Sequence, residues 1–504
     1  MSKKSRRPGR EEIKAQRKET KQAQKKLREE QRNAGLTPCS HTTISNHKSD
    51  LGSVEEEQKA RNEALSNQMR IIRSKLPVLL KRLSKIEDPR NPEKTKHKLT
   101  VLILYGMLAF VFQMSSLRET DREMTRPEFM RNLQFLFPEL EGLPHHDSLT
   151  RLLSKIDVME LEQLQLDLVR DLIRKKKLRR YLINNCYPIA MDGTQKIKRS
   201  HLWAEECLDR TKEGETQYYV YVLEAVLAFP GGMMIPFMSE FLDYNKGDSG
   251  KDKQDSEQGG FHRLALRLKE AFPALPIMLL LDGLYANGPV MKRCRDYNWE
   301  YMIVLQDKQL PSVREEFEGI IQLEPNNRKK HTWCNRKQSF KWVNDIEYYY
   351  GPNDRKKEIV HVVECNEEWQ EVENGSSQVV TKTSHHMWLS SEPLDKWNLH
   401  ERCNLGARSR WSIENGILVE KHHGYQYEHC FSYNWKAMVG YHYLMRLAHL
   451  FNILTHHSQH LAKVIKDTGV RGFIKFIRET MAGRWLDYEW LAEQLREPFQ
   501  LRLT

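Results

Sequence analysis

The chain has 504 residues, of which 39% are hydrophobic and 29% are charged, so it can bury sizeable cores across roughly two to four domains. Its net charge of +12 suggests a polyanionic partner, and residues 1–35 supply eight of these charges, with 13 Lys or Arg against 5 Glu. The eight cysteines include no Cys-x-x-Cys pair, which argues against a zinc ribbon and a disulfide framework. The longest apolar stretch, Leu99 to Met114, is shorter than the ~20 residues that a bilayer span needs and is predicted to be a buried helix. We therefore expect a soluble, cytoplasmic protein without membrane contacts.

The N-terminal third divides into two predicted segments. Residues 1–50 form a basic arm and linker, which is either a solvated, partly helical arm or a tether that adds phosphate contacts. Residues 51–180 carry apolar stripes at helical spacing and are predicted to be a helical domain. That domain either binds DNA or packs against the rest of the chain. Within it, Asp147 is predicted to cap a helix, with Ser148 as the rival cap.

The pattern changes to strands at about residue 183. The segments PIAMDG, TQYYVYVLEAVLAF and GMMIPFMSEFL are predicted to be three strands, and GGFHRLALRLKEAF an amphipathic helix. IMLLLD and YMIVLQ are two further strands, with a helix near residues 288–297 between them. Three strands, a helix, a strand, a helix and a strand follow one another in the order of an RNase H-like mixed sheet. We therefore predict an α/β fold with the first part of this core at residues 183–306.

Three more segments complete the predicted organisation. Residues 307–395 alternate polar and apolar side chains and are predicted to form an all-β insertion. The core resumes at residues 396–455, which include a helix around Glu414, and residues 456–504 form a C-terminal helical region.

Carboxylates placed at the ends of apolar runs point to chemistry. Asp192 and Asp282 each follow such a run and precede a glycine, and either could simply cap a turn. In RWSIENGILVEK, Arg410, Glu414 and Lys421 project within roughly 40° of one another on a helix. Carboxylate oxygens suit Mg²⁺, and the cations beside them suit phosphate groups.

These residues resemble the signature of bacterial insertion-sequence DDE transposases, in the group with a β-strand insertion and a Tyr-(2)-Arg-(3)-Glu-(6)-Lys motif. Asp192, Asp282 and Glu414 match the three acids, and Arg410 and Lys421 match the cations of the motif. The position of the motif tyrosine is held by Ala407. Tyr425 or Tyr427 is a possible substitute ring, and Trp411 is a possible stacking partner for an unpaired base.

The resemblance implies a reaction and its partners. The chain would use Mg²⁺ or Mn²⁺, as two ions held by Asp192, Asp282 and Glu414, to cleave double-stranded DNA at transposon terminal repeats. The freed 3′-OH would then attack target DNA, while Arg410 and Lys421 hold phosphate. A homodimer in the synaptic complex and association with the bacterial nucleoid are further expectations. Two alternatives remain: an RNase H-like nuclease without strand transfer, and an inactive transposase derivative that only binds DNA.

Overall fold

A computed structural model describes residues 9–37, 48–247 and 254–504, so the parts of the predicted arm at residues 1–8 and 38–47 lie outside the described residues. The chain forms two compact units. The smaller unit comprises Met1–Thr43 with Leu281–Ala407, and the larger unit comprises Ile44–Leu280 with Arg408–Thr504. The predicted mixed α/β class is confirmed, with helices and strands in both units.

The larger unit contains eleven α-helices among the described residues. They are α2 (Val54–Leu83), α3 (Leu99–Val111), α4 (Leu117–Met124), α5 (Pro127–Leu136), α6 (His146–Leu153), α7 (Met159–Arg174), α8 (Glu257–Ala271), α11 (Trp411–His422), α12 (Trp435–His456), α13 (Ala462–Ala482) and α14 (Tyr488–Arg496). The smaller unit holds α1 (Arg10–Asn33), α9 (Gly288–Asp296) and α10 (Pro311–Leu323).

Helix α12 is the centre of the larger unit's core. It is buried along nearly its whole length and packs against α2, α3, α6, α7 and strand β4 (Met234–Phe241). Helix α3 meets it closely at Gly106, where a Cβ would lie 2.7 Å from Leu149 and 2.8 Å from Leu444. The apolar stretch at Leu99–Val111 is therefore a buried helix, as predicted. Within the described residues no helix is both long and apolar enough to cross a bilayer.

The sheet of the larger unit is built around strand β1 (Tyr187–Arg199). β1 pairs antiparallel with β3 (Glu215–Ala228) and parallel with β5 (Ile277–Leu281). β3 also pairs antiparallel with β4 and with β2 (Leu208–Lys212), a short strand that the sequence analysis missed. The predicted strands at β1, β3, β4 and β5 are confirmed.

The smaller unit contains strands in the order β6, β10, β9, β8, β7, and each pairing between neighbours is antiparallel. Their bounds are β6 (Glu300–Val304), β7 (Arg328–Trp333), β8 (Arg336–Tyr350), β9 (Lys356–Val372) and β10 (Val379–Ser390). Helix α1 packs on this sheet through the buried residues Leu27 and Gln31, and the Gln31 side chain donates to the Gln370 carbonyl at 3.3 Å. The described part of the basic arm is thus a helix that contacts β9.

The cap of helix α6 differs from the prediction. His145, rather than Asp147 or Ser148, is the N-cap residue, and its Nδ1 accepts a hydrogen bond from the Asp147 N–H at 3.3 Å. The helix begins earlier than expected because an imidazole nitrogen can accept the hydrogen bond that a carboxylate or hydroxyl usually accepts.

Candidate active site

Asp192 lies on strand β1, where neighbouring side chains pack closely against the backbone. Its side chain is 21% exposed, and its Oδ1 accepts a hydrogen bond from the Gly193 N–H at 3.0 Å. A Cβ on Gly193 would lie 2.4 Å from a carboxylate oxygen of Glu257 and 2.5 Å from the ring of Tyr221. Glycine is required here because neighbouring side chains fill the space that a methyl group would take.

Glu257 is an acid that the sequence analysis missed. It begins α8 after the N-cap Ser256, and its Oε2 accepts a hydrogen bond from the Tyr221 hydroxyl at 2.9 Å. In the sequence it is only an acid in a first helical turn, where negative charge commonly complements the helix dipole. Its place beside Gly193, and so next to Asp192 along β1, is visible only in the structure.

Arg410 brings two of the predicted acids to one place. Its side chain is 9% exposed, its Nη2 donates to Glu414 Oε1 at 2.8 Å, and its Nη1 lies 4.0 Å from Asp192 Oδ2. Its Nε is buried and has no hydrogen-bond partner among the described residues. One guanidinium therefore faces a carboxylate from β1 and another from α11, and its buried Nε is an unused donor among the described residues.

Lys421 is held against the same strand. Its ammonium donates to the Gln195 carbonyl of β1 at 3.2 Å and lies 3.0 Å from Glu428 Oε1. The side chain is 15% exposed, whereas that of Glu428 is 54% exposed. Lys421 thus lies three residues along β1 from Asp192.

Asp282 follows the end of β5 in the described structure. Its Oδ1 accepts a hydrogen bond from the Leu284 N–H at 2.9 Å and caps the 3₁₀ turn Gly283–Tyr285. The register pairs Ala190 of β1 with Leu280 of β5, and Asp192 and Asp282 each come two residues after this pair.

The remaining aromatic candidates have different environments. Tyr425 and Tyr427 are both buried, at 1% and 0% exposure, and the Tyr427 hydroxyl donates to Glu224 Oε1 at 2.7 Å. Neither ring, the two possible substitutes for the motif tyrosine, is therefore exposed at the surface of the described structure. Trp411 and Leu418 of α11 are 59% and 49% exposed. Helix α11 thus turns both side chains to solvent and buries Ile413.

A buried charge network underlies the site. Arg446 of α12 donates to Glu420 of α11 at 3.1 Å and lies 3.3 Å from Glu224, the register partner of Asp192. Burial raises the pKa of Glu224, whereas Arg446 and His449 outweigh burial and lower the pKa of Glu420. All these carboxylate and guanidinium groups are at most 1% exposed. Arg446 therefore ties the Glu414 helix to the strand beside Asp192.

His442 makes this network sensitive to pH. Burial, with Lys196 and Arg446, holds the pKa of His442 well below its ordinary value of 6.5. The unfolded chain takes up a proton on this residue below about pH 6.5 and the folded chain does not, so stability falls as pH drops. We expect His442→Gln, whose amide can still bond Ser239, to reduce this slope by up to about 1.4 kcal/mol per pH unit in denaturation at pH 5–8.

Two comparisons complete this prediction. The raised pKa of Glu224 makes stability fall as pH rises, which opposes the effect of His442. Glu224 is present in both the wild type and His442→Gln, so the difference between their slopes of stability against pH reports on His442. His422→Gln changes an exposed histidine and is expected to leave the slope unchanged. Equal slopes for wild type and His442→Gln would contradict the prediction.

The packing at Gly193 leads to a second prediction. Gly193→Ala should displace Glu257 and the Tyr221 ring, cost about 1–3 kcal/mol of stability, and reduce any activity at Asp192 by about 100-fold. Thermal denaturation and DNA cleavage measure the two effects. Gly319→Ala is the matched control, because nothing lies within 4 Å of its Cβ on α10. Unchanged cleavage by Gly193→Ala would show that this packing does not position Asp192.

A family model matches part of the helical region. Residues 80–169 match the family described as DDE_Tnp_1-associated. The match extends from the end of α2 into α7. No curated protein sequence matches the chain. The matched segment points to a DDE-type transposase, a class of enzyme that acts on DNA with divalent metal ions.

Proposed function

We propose that the chain is a DDE transposase that cleaves DNA at transposon ends and joins the 3′-OH to target DNA. The observation that carries the proposal is the meeting of Asp192 and Glu414 at the Arg410 guanidinium, 4.0 Å and 2.8 Å away. These side chains come from positions more than 200 residues apart and match the acids and the arginine of the resemblance. The transposase-associated match at residues 80–169 supports the same function independently.

Asp282 is proposed as the third acid. Its parallel strand β5 pairs with β1 up to Ala190 and Leu280, and both aspartates follow this pair at the same interval. Adjacent parallel strands place equivalent positions at the same end of a sheet, so this register supports the grouping of Asp282 with Asp192. The capping bond to the Leu284 N–H uses one carboxylate oxygen, Oδ1.

The donor set fits a hard divalent cation. Asp192, Asp282 and Glu414 are the residues that would hold Mg²⁺ or Mn²⁺, because these ions take a few carboxylate oxygens and complete their coordination with water and substrate phosphate. When bound, such ions supply Lewis-acid stabilisation of the phosphoryl oxygens. The carboxylates themselves provide negative charge, and Arg410 balances it in the structure described here.

Arg410 and Lys421 are proposed to hold the DNA backbone. The buried Nε of Arg410 is a donor without a protein partner among the described residues, and a guanidinium binds phosphate through two parallel hydrogen bonds. Lys421 already donates to β1, so it would approach phosphate as a point charge from a fixed position beside the strand.

The finer architecture is also part of the proposal. We assign the strands around β1 to an RNase H-like core and residues 51–180 to DNA binding. Residues 307–395 are assigned to a β-strand insertion, which is not all-β as expected because helix α10 precedes its strands. A synaptic complex joins two transposon ends, so a homodimer on double-stranded DNA at the bacterial nucleoid is the expected working form.

The test uses the full chain with a duplex that carries the terminal repeats of its own element. With Mg²⁺ or Mn²⁺ we expect 3′-OH ends at the element boundary and joined products in a target plasmid. EDTA should abolish both products, and a duplex with scrambled ends is the control. Cleavage without joining would favour a nuclease, and binding without cleavage would favour an inactive DNA-binding derivative.

A further inference from the structure

Two adjacent histidines of the helical region converge on one carboxylate. Asp121 Oδ2 of α4 lies 3.1 Å from His145 Nε2 and 2.5 Å from His146 Nδ1, at the start of α6. The three ligand atoms all lie within 4.8 Å of one another. Ligands around a tetrahedral zinc ion, with bonds of about 2.0–2.1 Å, lie about 3.3 Å apart. The distance from Asp121 Oδ2 to His145 Nε2 is already close to this value, and the distance to His146 Nδ1 would have to increase by less than about 1 Å.

The outer nitrogens of both imidazoles face a second carboxylate. His145 Nδ1 lies 3.3 Å from Asp147 Oδ2, and His146 Nε2 lies 3.3 Å from Asp147 Oδ1. Histidines that bind a metal usually donate their other N–H to a carboxylate, which fixes the tautomer and the ring orientation. The Asp147 carboxylate can accept a hydrogen bond from each ring, and Asp121 Oδ2 lies beside the other nitrogen of each ring.

The carboxylate of Asp121 is itself oriented by protein donors. Its Oδ1 accepts hydrogen bonds from the Tyr105 hydroxyl at 2.7 Å and from the backbone N–H of His146 at 3.1 Å. Tyr105 is 1% exposed, so this support comes from the core. With Oδ1 occupied, Oδ2 is the oxygen directed at the histidines.

We propose that Asp121, His145 and His146 form a binding site for a transition metal of the zinc type, which fastens α4 to the beginning of α6. Two imidazoles and one carboxylate suit Zn²⁺, Co²⁺ or Ni²⁺ better than Mg²⁺, which prefers oxygen ligands. The side chains of Asp121 and His146 are about one-fifth exposed and that of His145 is 59% exposed, so water can complete the coordination. The site is separate in its residues and its metal preference from the proposed catalytic acids.

Binding would change one hydrogen bond of the helix start. His145 Nδ1 accepts from the Asp147 N–H when it caps α6. A metal on Nε2 places the proton of neutral imidazole on Nδ1, which then donates to the Asp147 carboxylate. The metal thus replaces a weak cap with a bond between two helices. Stabilisation of the folded chain by the metal is the expected consequence.

The test measures metal binding by the full, metal-stripped chain without reference to DNA. Co²⁺ should give saturable visible absorption bands of a four-coordinate site at one ion per chain, and Zn²⁺ should displace it. Zn²⁺ should also raise the thermal midpoint of the wild type by several degrees. His145→Gln/His146→Gln is expected to lose these bands, weaken Zn²⁺ binding at this site by more than about 100-fold and abolish the thermal shift.

A matched double variant controls for the many other histidines. His422→Gln/His423→Gln changes another exposed adjacent pair and should retain the bands and the shift. Asp121→Asn keeps an oxygen that accepts from the Tyr105 hydroxyl and should also weaken Zn²⁺ binding. This variant provides the test if His145→Gln/His146→Gln fails to fold. Absence of cobalt bands in the wild type, or an equal zinc response in Asp121→Asn and the wild type, would overturn the proposal.

Discussion

Asp192→Asn and Glu414→Gln are each expected to reduce metal-dependent DNA cleavage by about 100- to 1000-fold or more. Both substitutions keep the size of the side chain and remove its charge, so they weaken a metal ligand without opening a cavity. Arg410 would then lose one of the two carboxylates that it faces in the structure. DNA binding should persist, because removing negative charge near the phosphates does not weaken their attraction to Arg410 and Lys421.

Single-turnover cleavage of a labelled duplex, with a gel-shift assay for binding, separates these two effects. Asp296→Asn and Glu347→Gln are matched controls, because each neutralises a carboxylate that is 44% exposed and paired with a lysine. Wild-type cleavage by Asp192→Asn or Glu414→Gln would show that the active site is not at β1 and α11.

Arg446→Met is expected to destabilise the fold by about 3–5 kcal/mol, the second large effect. Arg446 is 1% exposed and neutralises Glu224 and Glu420, which are 0% exposed. Removing the guanidinium leaves two carboxylates in a place without water, and one of them must take up a proton for the chain to fold. Chemical denaturation at pH 7 measures the loss.

Two further variants test the cause of that loss. Glu224→Gln/Glu420→Gln/Arg446→Met removes all three charges and should recover part of the stability, because no buried carboxylate is left without its guanidinium. Lys196 loses the same two carboxylates, but burial already lowers the pKa of its ammonium to about 8, so it can give up its proton. Arg174→Met removes an arginine that is 78% exposed and paired with Asp171, and should cost at most about 1 kcal/mol. A loss below 1 kcal/mol for Arg446→Met would mean that water reaches the network.

Much of the fold can be predicted from hydrophobic periodicity and from the positions where apolar runs end. The strand at Asp192, the buried helix at Leu99 and the amphipathic helix α8 are all evident from local patterns, because burial selects apolar residues at fixed spacing. The arginine that faces Asp192 and Glu414 was also a candidate from its spacing. The candidate site could therefore be outlined from one sequence.

What the sequence could not provide depends on contacts between distant residues. Glu420 looks like a surface acid next to Lys421, yet its side chain is 0% exposed and is paired with Arg446 and His449. Glu257 has no local pattern that distinguishes it from an ordinary acid at a helix start. The cluster of Asp121 with His145 forms because α4 contacts the beginning of α6, and no spacing in the sequence predicts that contact.

Helix α12 limits how such a protein can be recombined with its relatives. It lies against α2, α3, α6 and α7 from the N-terminal part of the chain, and its Arg446 also holds the strand beside Asp192. A chimera that exchanges residues 51–180 alone would therefore set one protein's helices against another protein's α12. The helices of the larger unit and its strands around Asp192 should therefore be inherited together. Under the proposed function, new DNA specificity would be gained more readily by surface substitutions than by exchange of a module.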